Sequence, residues 1–334
     1  LEQVVERTDG VPLFVEEFTK AVLESGSVAR HEDRNEYEET GPVPRFSVPS
    51  TLQDSLMARL DLLGPAKNTA QAAAVLGREF SKGVLEAVAS ETGSLDDDLS
   101  RLIRAGIIEH VHDDTPERYS FRHALIQDTA YHALLKSDRR AMHARIADVL
   151  ETEFGSDAVA EPERLARHCE EGGLLEKAIR YYEKASVQAQ QRSAASESIR
   201  HLTRALELIE KLPEGSERDA LEFPIQLELG KTVVAAEGWG NADAERAYRR
   251  ARELSEGIGD VPQVFQVVRG LVIYYTAKSE LRTANELVTR MRTLADESGS
   301  ADLLLPTHMQ LGILSYYDGR PADAVAQFRK AIEY

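Results

Sequence analysis

Apolar and small residues in the second half of this chain recur at helical spacing, and the recurrence itself repeats. Ala244, Ala284 and Ala324 lie 40 residues apart. Each is followed four positions on by Tyr248, Val288 or Phe328, and seven on by Ala251, Met291 or Ala331. Upstream stand Leu229-Gly230, Leu271-Val272 and Leu311-Gly312. Residues at these intervals share one helix face, so each copy predicts two helices that small residues allow to approach and large ones lock together. Such a pair cannot bury its own apolar face, so copies must stack, and stacked pairs offer a concave surface for partners. An earlier stretch fits the template at Leu165-Ala166, Gly173, Ala178, Tyr182 and Ala185, and a looser unit follows at Ser198, Leu202 and Ala205. Pro224, Pro262 and Pro306 fall near the expected starts of first helices, where a missing N–H leaves no bond unmade. From Pro162 onward the chain reads as helical, an array over 160–334.

The pattern ahead of residue 155 is different. Residues 1–25 predict a helix, a break at Asp9-Gly10-Val11-Pro12 and a second helix. Residues 26–48, with Gly26, Gly41, Pro42 and Pro44, read as a loop or linker with a short strand at Phe46-Ser47-Val48. Leu52, Leu56 and Leu60 form the stripe of a helix capped by Ser50. Further helices are predicted over 65–77, 81–91 and 94–105, the last stopped by Gly106. Two alternating strands, 107–112 and 118–122, flank a turn, and helices over 123–136 and 138–154 follow. Three helices and then a hairpin are the layout of a winged helix. The predicted fold is mainly all-α: a small winged-helix module with one β-hairpin over 49–155, then an α-solenoid of helix pairs. Residues 1–48 form a separate piece.

Charge narrows the partners. With 57 acidic against 40 basic side chains, the net charge of −17 repels a phosphate backbone. The helix at 94–105 holds the recognition position of a winged helix, yet Asp96, Asp97 and Asp98 would face the phosphates. Lys136, Arg139, Arg140 and Arg145 read as a solvated helix face. Nucleic acid is therefore not an expected partner. Cys169 is the single cysteine, so no internal disulfide or cysteine-based zinc site can form, and a cytoplasmic location is expected. No apolar window approaches about 18 residues, so no membrane span is expected. Both ends lie within helical patterns, and the chain reads as part of something longer.

Little here suggests chemistry. His110, His112, Asp113 and Asp114 read as a solvated hairpin tip, with no second cluster to complete a ligand set. Asp128 and His132 predict a helix-surface ion pair, and adjacent Glu16 and Glu17 point apart. No catalytic residue and no metal ligand is predicted. Trp239, in a Gly-Trp-Gly turn, either pins that loop onto a neighbouring helix or presents an anchor to a partner. Of Tyr274-Tyr275 and Tyr316-Tyr317, one of each pair is expected in the core and the other in the groove. Trp239, Tyr275 and Tyr317 are the predicted partner-binding residues.

Two resemblances run through these residues. The array resembles tetratricopeptide repeats, best in the last copy at Leu311, Gly312, Gly319, Ala324, Phe328 and Ala331. The run Asp9-Gly10-Val11-Pro12-Leu13-Phe14-Val15-Glu16-Glu17 resembles the Gly-x-Pro-Leu-Phe segment that closes the ATPase core of STAND-class signalling ATPases. The runs 49–56, 121–131 and 143–147 extend the match, most specifically around His123. Together they resemble bacterial regulators in which a class III adenylate or guanylate cyclase domain precedes an AAA-like STAND ATPase and a repeat array. That resemblance implies adenine contacts by Gly10, Pro12 and Leu13, and phosphate sensing by His123. It implies ATP or ADP with Mg²⁺ in the full-length protein only, because no Gly-x-x-x-x-Gly-Lys-[Ser/Thr] occurs here. The chain itself is expected to lack enzymatic activity and a cofactor. It would bind a protein or peptide effector in the repeat groove, and an ATPase core intramolecularly. The rival expectations are a plain interaction scaffold and a piece of a STAND-type transcriptional activator.

Overall fold

The computed structural model describes residues 28–30, 37–39, 52–89, 94–111, 117–155, 160–258 and 260–334. The chain divides into two compact units, Leu1–Gly155 and Ser156–Tyr334. The helices expected over 1–25, with Gly10, Pro12 and Leu13, lie outside the described residues, as does the strand expected at 46–48.

In the first unit, α2 (Ala66–Leu76) is the centre. Its alanine-rich sequence is buried from Thr69 to Leu76, as befits a helix covered on every side. Around it pack α3 (Lys82–Val88), α4 (Leu95–Arg104), α5 (Ala124–His132) and α6 (Lys136–Thr152), while α1 (Leu52–Leu62) packs on α5. Leu56, Leu60, Leu99, Leu102 and Ile126 fill the space between them. Gly106 stops α4 as its sequence suggests. It adopts a φ of 65°, and the N–H of Ile107 returns to the carbonyl of Leu102 at 3.0 Å.

The expected hairpin is present as β4 (Ile108–Val111) and β5 (Arg118–Phe121), but it belongs to a three-stranded sheet. Strand β3 (Glu79–Ser81) pairs antiparallel with β5, Glu79 opposite Ser120 and Ser81 opposite Arg118, in the order β3-β5-β4. Three residues are too few to show an alternation, and pairing with a segment about 40 residues away is not a local signal. Phe80 of β3 stacks on Tyr119 at 5.9 Å between ring centroids and packs on Phe121. A second departure is the antiparallel pair β1 (Val28–Arg30) and β2 (Tyr37–Glu39), within the stretch expected to be a loop. Its residues are mostly polar, and backbone pairing leaves no side-chain pattern in such sequence.

The second unit is helical throughout its described residues: α7 (Pro162–Glu171), α8 (Leu175–Gln191), α9 (Ala195–Ile209), α10 (Ser216–Glu237), α11 (Ala242–Ile258), α12 (Val261–Ala277), α13 (Leu281–Ser298), α14 (Ala301–Tyr317) and α15 (Pro321–Ile332). Each packs on the next, and α12 also touches α10 and α14, so first helices of successive pairs lie side by side. The repeating alanines fulfil their predicted role: Ala244, Ala284 and Ala324 are buried, as are Ala251, Met291 and Ala331. A common turn joins α7 to α8, α8 to α9, α12 to α13 and α14 to α15. Gly173, Ser193, Ser279 and Gly319 each take a positive φ. The N–H one residue later bonds back to the preceding helix, Leu174 to Cys169 and Arg320 to Ser315. That turn flanks α8 on both sides. The looser unit is therefore one helix, α9, sharing α8 with α7, and not a pair of its own.

Two prolines depart from their expected place. Pro262 does open α12, but Pro224 and Pro306 lie inside α10 and α14. An interior proline costs about 3 kcal/mol. Phe223 and Ile225, on either side of Pro224, are both buried, and burial of each such side chain contributes about 1.5–3 kcal/mol. Packing therefore carries the helix through. No helix of the described residues is long and apolar enough to cross a membrane.

Candidate functional site

A cleft of about 520 Å³ opens between α10 and α12, floored by Tyr248 of α11. Its shape follows from two glycines. A Cβ at Gly230 of α10 would lie 2.9 Å from the Tyr248 ring, and one at Gly270 of α12 only 2.5 Å away. The ring thus fills space that a side chain on either first helix would take. Burial, with Glu228 nearby, pushes the Tyr248 hydroxyl up to about 12, so it stays a neutral donor at ordinary pH.

The rim is cationic and aromatic. Arg269 is the single charged residue of α12, beside Gly270 in an otherwise apolar run. Among the described residues its guanidinium has no ion pair, and its Nε is buried without a hydrogen-bond partner. Lys231 on α10 adds a second cation, with Nζ 3.3 Å from Glu228. Trp239 stands at the edge, 43% exposed, in the loop that Asn241 closes by accepting from the N–H of Asp243 at 2.6 Å. Gln266 and Ile273 complete one wall. The arrangement offers a guanidinium, an ammonium, a phenol donor and an indole face, which suits a carboxylate next to an apolar group.

The other predicted partner-binding residues do not gather here. Tyr275 is half-buried, and its hydroxyl donates to Glu245 at 2.7 Å. Tyr274 is core, as expected of one member of that pair, but Tyr316 and Tyr317 are both exposed. The repeat explains why. Forty residues after Tyr274 and Tyr275 come Leu314 and Ser315, both buried, so the second tyrosine pair is two positions out of register and turned to the opposite face. Sequence reading missed Arg269 and Lys231; a lone cation in an apolar helix was the available signal for the first.

In the first unit, His123 precedes α5 in an extended conformation, half-buried, and its imidazole bonds to no other described side chain. Asp128 and His132 do not pair as expected. Nδ1 of His132 accepts from Arg139 at 3.0 Å, because the following helix brings that arginine closer than a helical turn brings Asp128. His110 packs edge-on against Tyr119, while His112, Asp113 and Asp114 lie outside the described residues. Of the three α4 aspartates, Asp96 and Asp97 face outward. Asp98 is buried and accepts from Thr69 at 2.7 Å, so it is not part of any presented face.

No protein-family model matches the chain. An uncharacterized protein of Rhizobium meliloti (strain 1021) is 26% identical over 318 residues, 93% of this chain but 30% of that protein's length. Among solved structures, a signal transduction ATPase with numerous domains (STAND) with a tetratricopeptide repeat sensor, from Pyrococcus horikoshii, overlaps with a TM-score of 0.37 and 13% identity. It covers 99% of this chain and 50% of its own. YrrB, a TPR protein with an unusual peptide-binding site, overlaps with a TM-score of 0.37 and 20% identity, over 57% of this chain and 84% of its own. Overlap at that level leaves the fold to rest on the chain's own packing, which is that of stacked helices.

Proposed function

We propose that the helical array is a sensor for a protein or peptide effector. The cleft between α10 and α12 would take a segment carrying a carboxylate beside an apolar or aromatic side chain. The observation that carries this reading is Arg269: a cation with no protein partner among the described residues, held in the wall of a cleft with an exposed tryptophan at its edge. In a chain of net charge −17, a local cationic cleft selects acidic ligands where the rest of the surface repels them. Trp239 is the chain's only tryptophan, so its emission reports on this cleft alone. Titration with a library of short acidic peptides should shift that emission for a subset. Arg269→Gln should weaken those peptides about 10-fold or more, with Tyr275→Phe leaving them unchanged. Peptide binding indifferent to Arg269→Gln refutes the cleft.

In a longer protein the array would act within a switch. The resemblance at residues 9–17 and 121–131 supports a regulatory portion of a cytoplasmic STAND-type ATPase. There residues 1–48 would end the ATPase core, and 49–155 would form a winged helix relaying the array's state to an upstream NTPase and nucleotide cyclase. The strand–helix–helix–hairpin order with β5 between β3 and β4 supports the winged-helix reading. ATP, when bound in the longer protein, would supply the phosphoanhydride whose state the switch reads. Gly10, Pro12 and Leu13 would meet the base, and the imidazole of His123 would meet a phosphate. An effector would bias the switch by its differential affinity for the two states. Effector-dependent ATP turnover by the full-length protein tests this; a full-length sequence without a P-loop refutes it and leaves the scaffold reading, while a DNA-binding domain after residue 334 would favour a transcriptional activator.

A further inference from the structure

A second cleft, of about 440 Å³, lies among α7, α8 and α9, remote in the repeat order from the effector cleft. Glu163 enters it from the first turn of α7, and Glu197 and His201 from one face of α9, a turn apart. His201 is 2% exposed, and its Nε2 is buried with no hydrogen-bond partner among the described residues. That nitrogen points between two carboxylates, 3.8 Å from Glu163 Oε2 and 3.6 Å from Glu197 Oε1. The three donor atoms lie within 4.8 Å of one another.

We propose that Glu163, Glu197 and His201 bind a divalent transition-metal cation of the Zn²⁺ class. A buried imidazole nitrogen normally has a partner, and these carboxylates stand beyond hydrogen-bond reach of it. Donors bonded to a tetrahedral zinc at about 2.0–2.2 Å stand about 3.4 Å apart, so closing the set needs movements of a few tenths of an ångström to about an ångström. Both carboxylates can make them, since their side chains are 56% and 31% exposed, whereas His201 is fixed. Tyr182 lies against its ring, 6.0 Å between centroids and tilted by 27°. Arg200 engages the other oxygen of Glu163 at 3.6 Å, leaving Oε2 for the cation. Arg192 shares Glu197 Oε1 at 3.2 Å, so binding must displace it or use Oε2. One imidazole and two carboxylates match Zn²⁺, Mn²⁺ or Fe²⁺, not a thiolate-selected ion, and the two carboxylates neutralise the charge. The open cleft leaves room for water to complete the coordination.

The test uses the whole chain and Zn²⁺ alone, with Co²⁺ as the spectroscopic probe. One equivalent should bind with micromolar affinity or better. The His201 Nε2 resonance should shift on addition of Zn²⁺, and Co²⁺ should give visible absorption bands of a low-coordinate oxygen–nitrogen site. Glu163→Gln and Glu197→Gln should each weaken binding about 10-fold or more while leaving the metal-free melting temperature unchanged. These carboxylates, one exposed and one half-buried, are chosen because replacing buried His201 risks the fold. Zn²⁺ affinity equal in both variants and wild type, or a His201 resonance that ignores saturating Zn²⁺, overturns the site. The two carboxylates would then serve only their ion pairs with Arg200 and Arg192.

Discussion

The ring of Tyr248 occupies the place where a side chain at Gly270 would stand, with Cζ only 2.5 Å from an ideal Cβ there. One residue of a second helix thereby sets how closely the next repeat's first helix can approach. Gly312 and Phe328, within one helix pair, repeat at 2.6 Å the contact that Tyr248 makes with Gly230 of its own pair. Gly270→Ala should destabilise the array by about 1–3 kcal/mol, the usual cost of overpacking. In a Tyr248→Val background the same change should cost clearly less, because the crowding atoms are gone. Thermal melts of the four proteins in a double-mutant cycle give the coupling; additive effects would show that the ring is not the obstacle.

Glu222 and Arg250 form a two-pronged ion pair between α10 and α11, with nitrogen–oxygen distances of 2.7 and 2.9 Å. The hydrogen bonds from Arg250 outweigh burial and hold the Glu222 carboxyl below its ordinary value. A depressed carboxyl contributes stability above its unfolded value of about 4.3 and loses it as pH falls through the folded value. Arg250→Gln should cost about 1–3 kcal/mol at pH 7, since it leaves a buried carboxylate half-satisfied. It should also flatten the acid limb of the stability curve below about pH 4.5, measured by urea unfolding at a series of pH values.

The opposite sign holds for Tyr275. Burial first, and then its hydrogen bond to Glu245, push the phenol up to about 12. A raised value contributes stability fully below the unfolded value of about 10 and loses it as pH climbs through the folded one. Tyr275→Phe should cost about 1 kcal/mol at pH 7 and lessen the alkaline loss between about pH 10 and 12. Tyr248, also pushed up to about 12, should account for part of what remains.

Gly106 tests the first unit. Its φ of 65° is one that an alanine adopts under strain, and an added Cβ would meet the ends of Arg59 and Arg122 at 3.3 Å. Gly106→Ala should cost about 1–2 kcal/mol. Arg59 donates to the carbonyl of Ala105, so a loss in thermal melts far above that range would point to that bond as well as to the backbone.

The sequence by itself determined whatever depends on local spacing. Ala244, Ala284 and Ala324 announced the stacked helices, and Gly106 announced the end of α4, because helix periodicity and a left-handed cap are written in consecutive residues. Tertiary structure decided what depends on residues far apart. Strand β3 exists because β5 pairs with it. Pro224 sits inside α10 because Phe223 and Ile225 are buried around it. The placement of Arg269 beside Trp239, and of His201 between Glu163 and Glu197, required two helices to be brought together. Periodicity says which face of a helix is buried; only packing says which side chain from another helix meets it, and a site is made of such meetings.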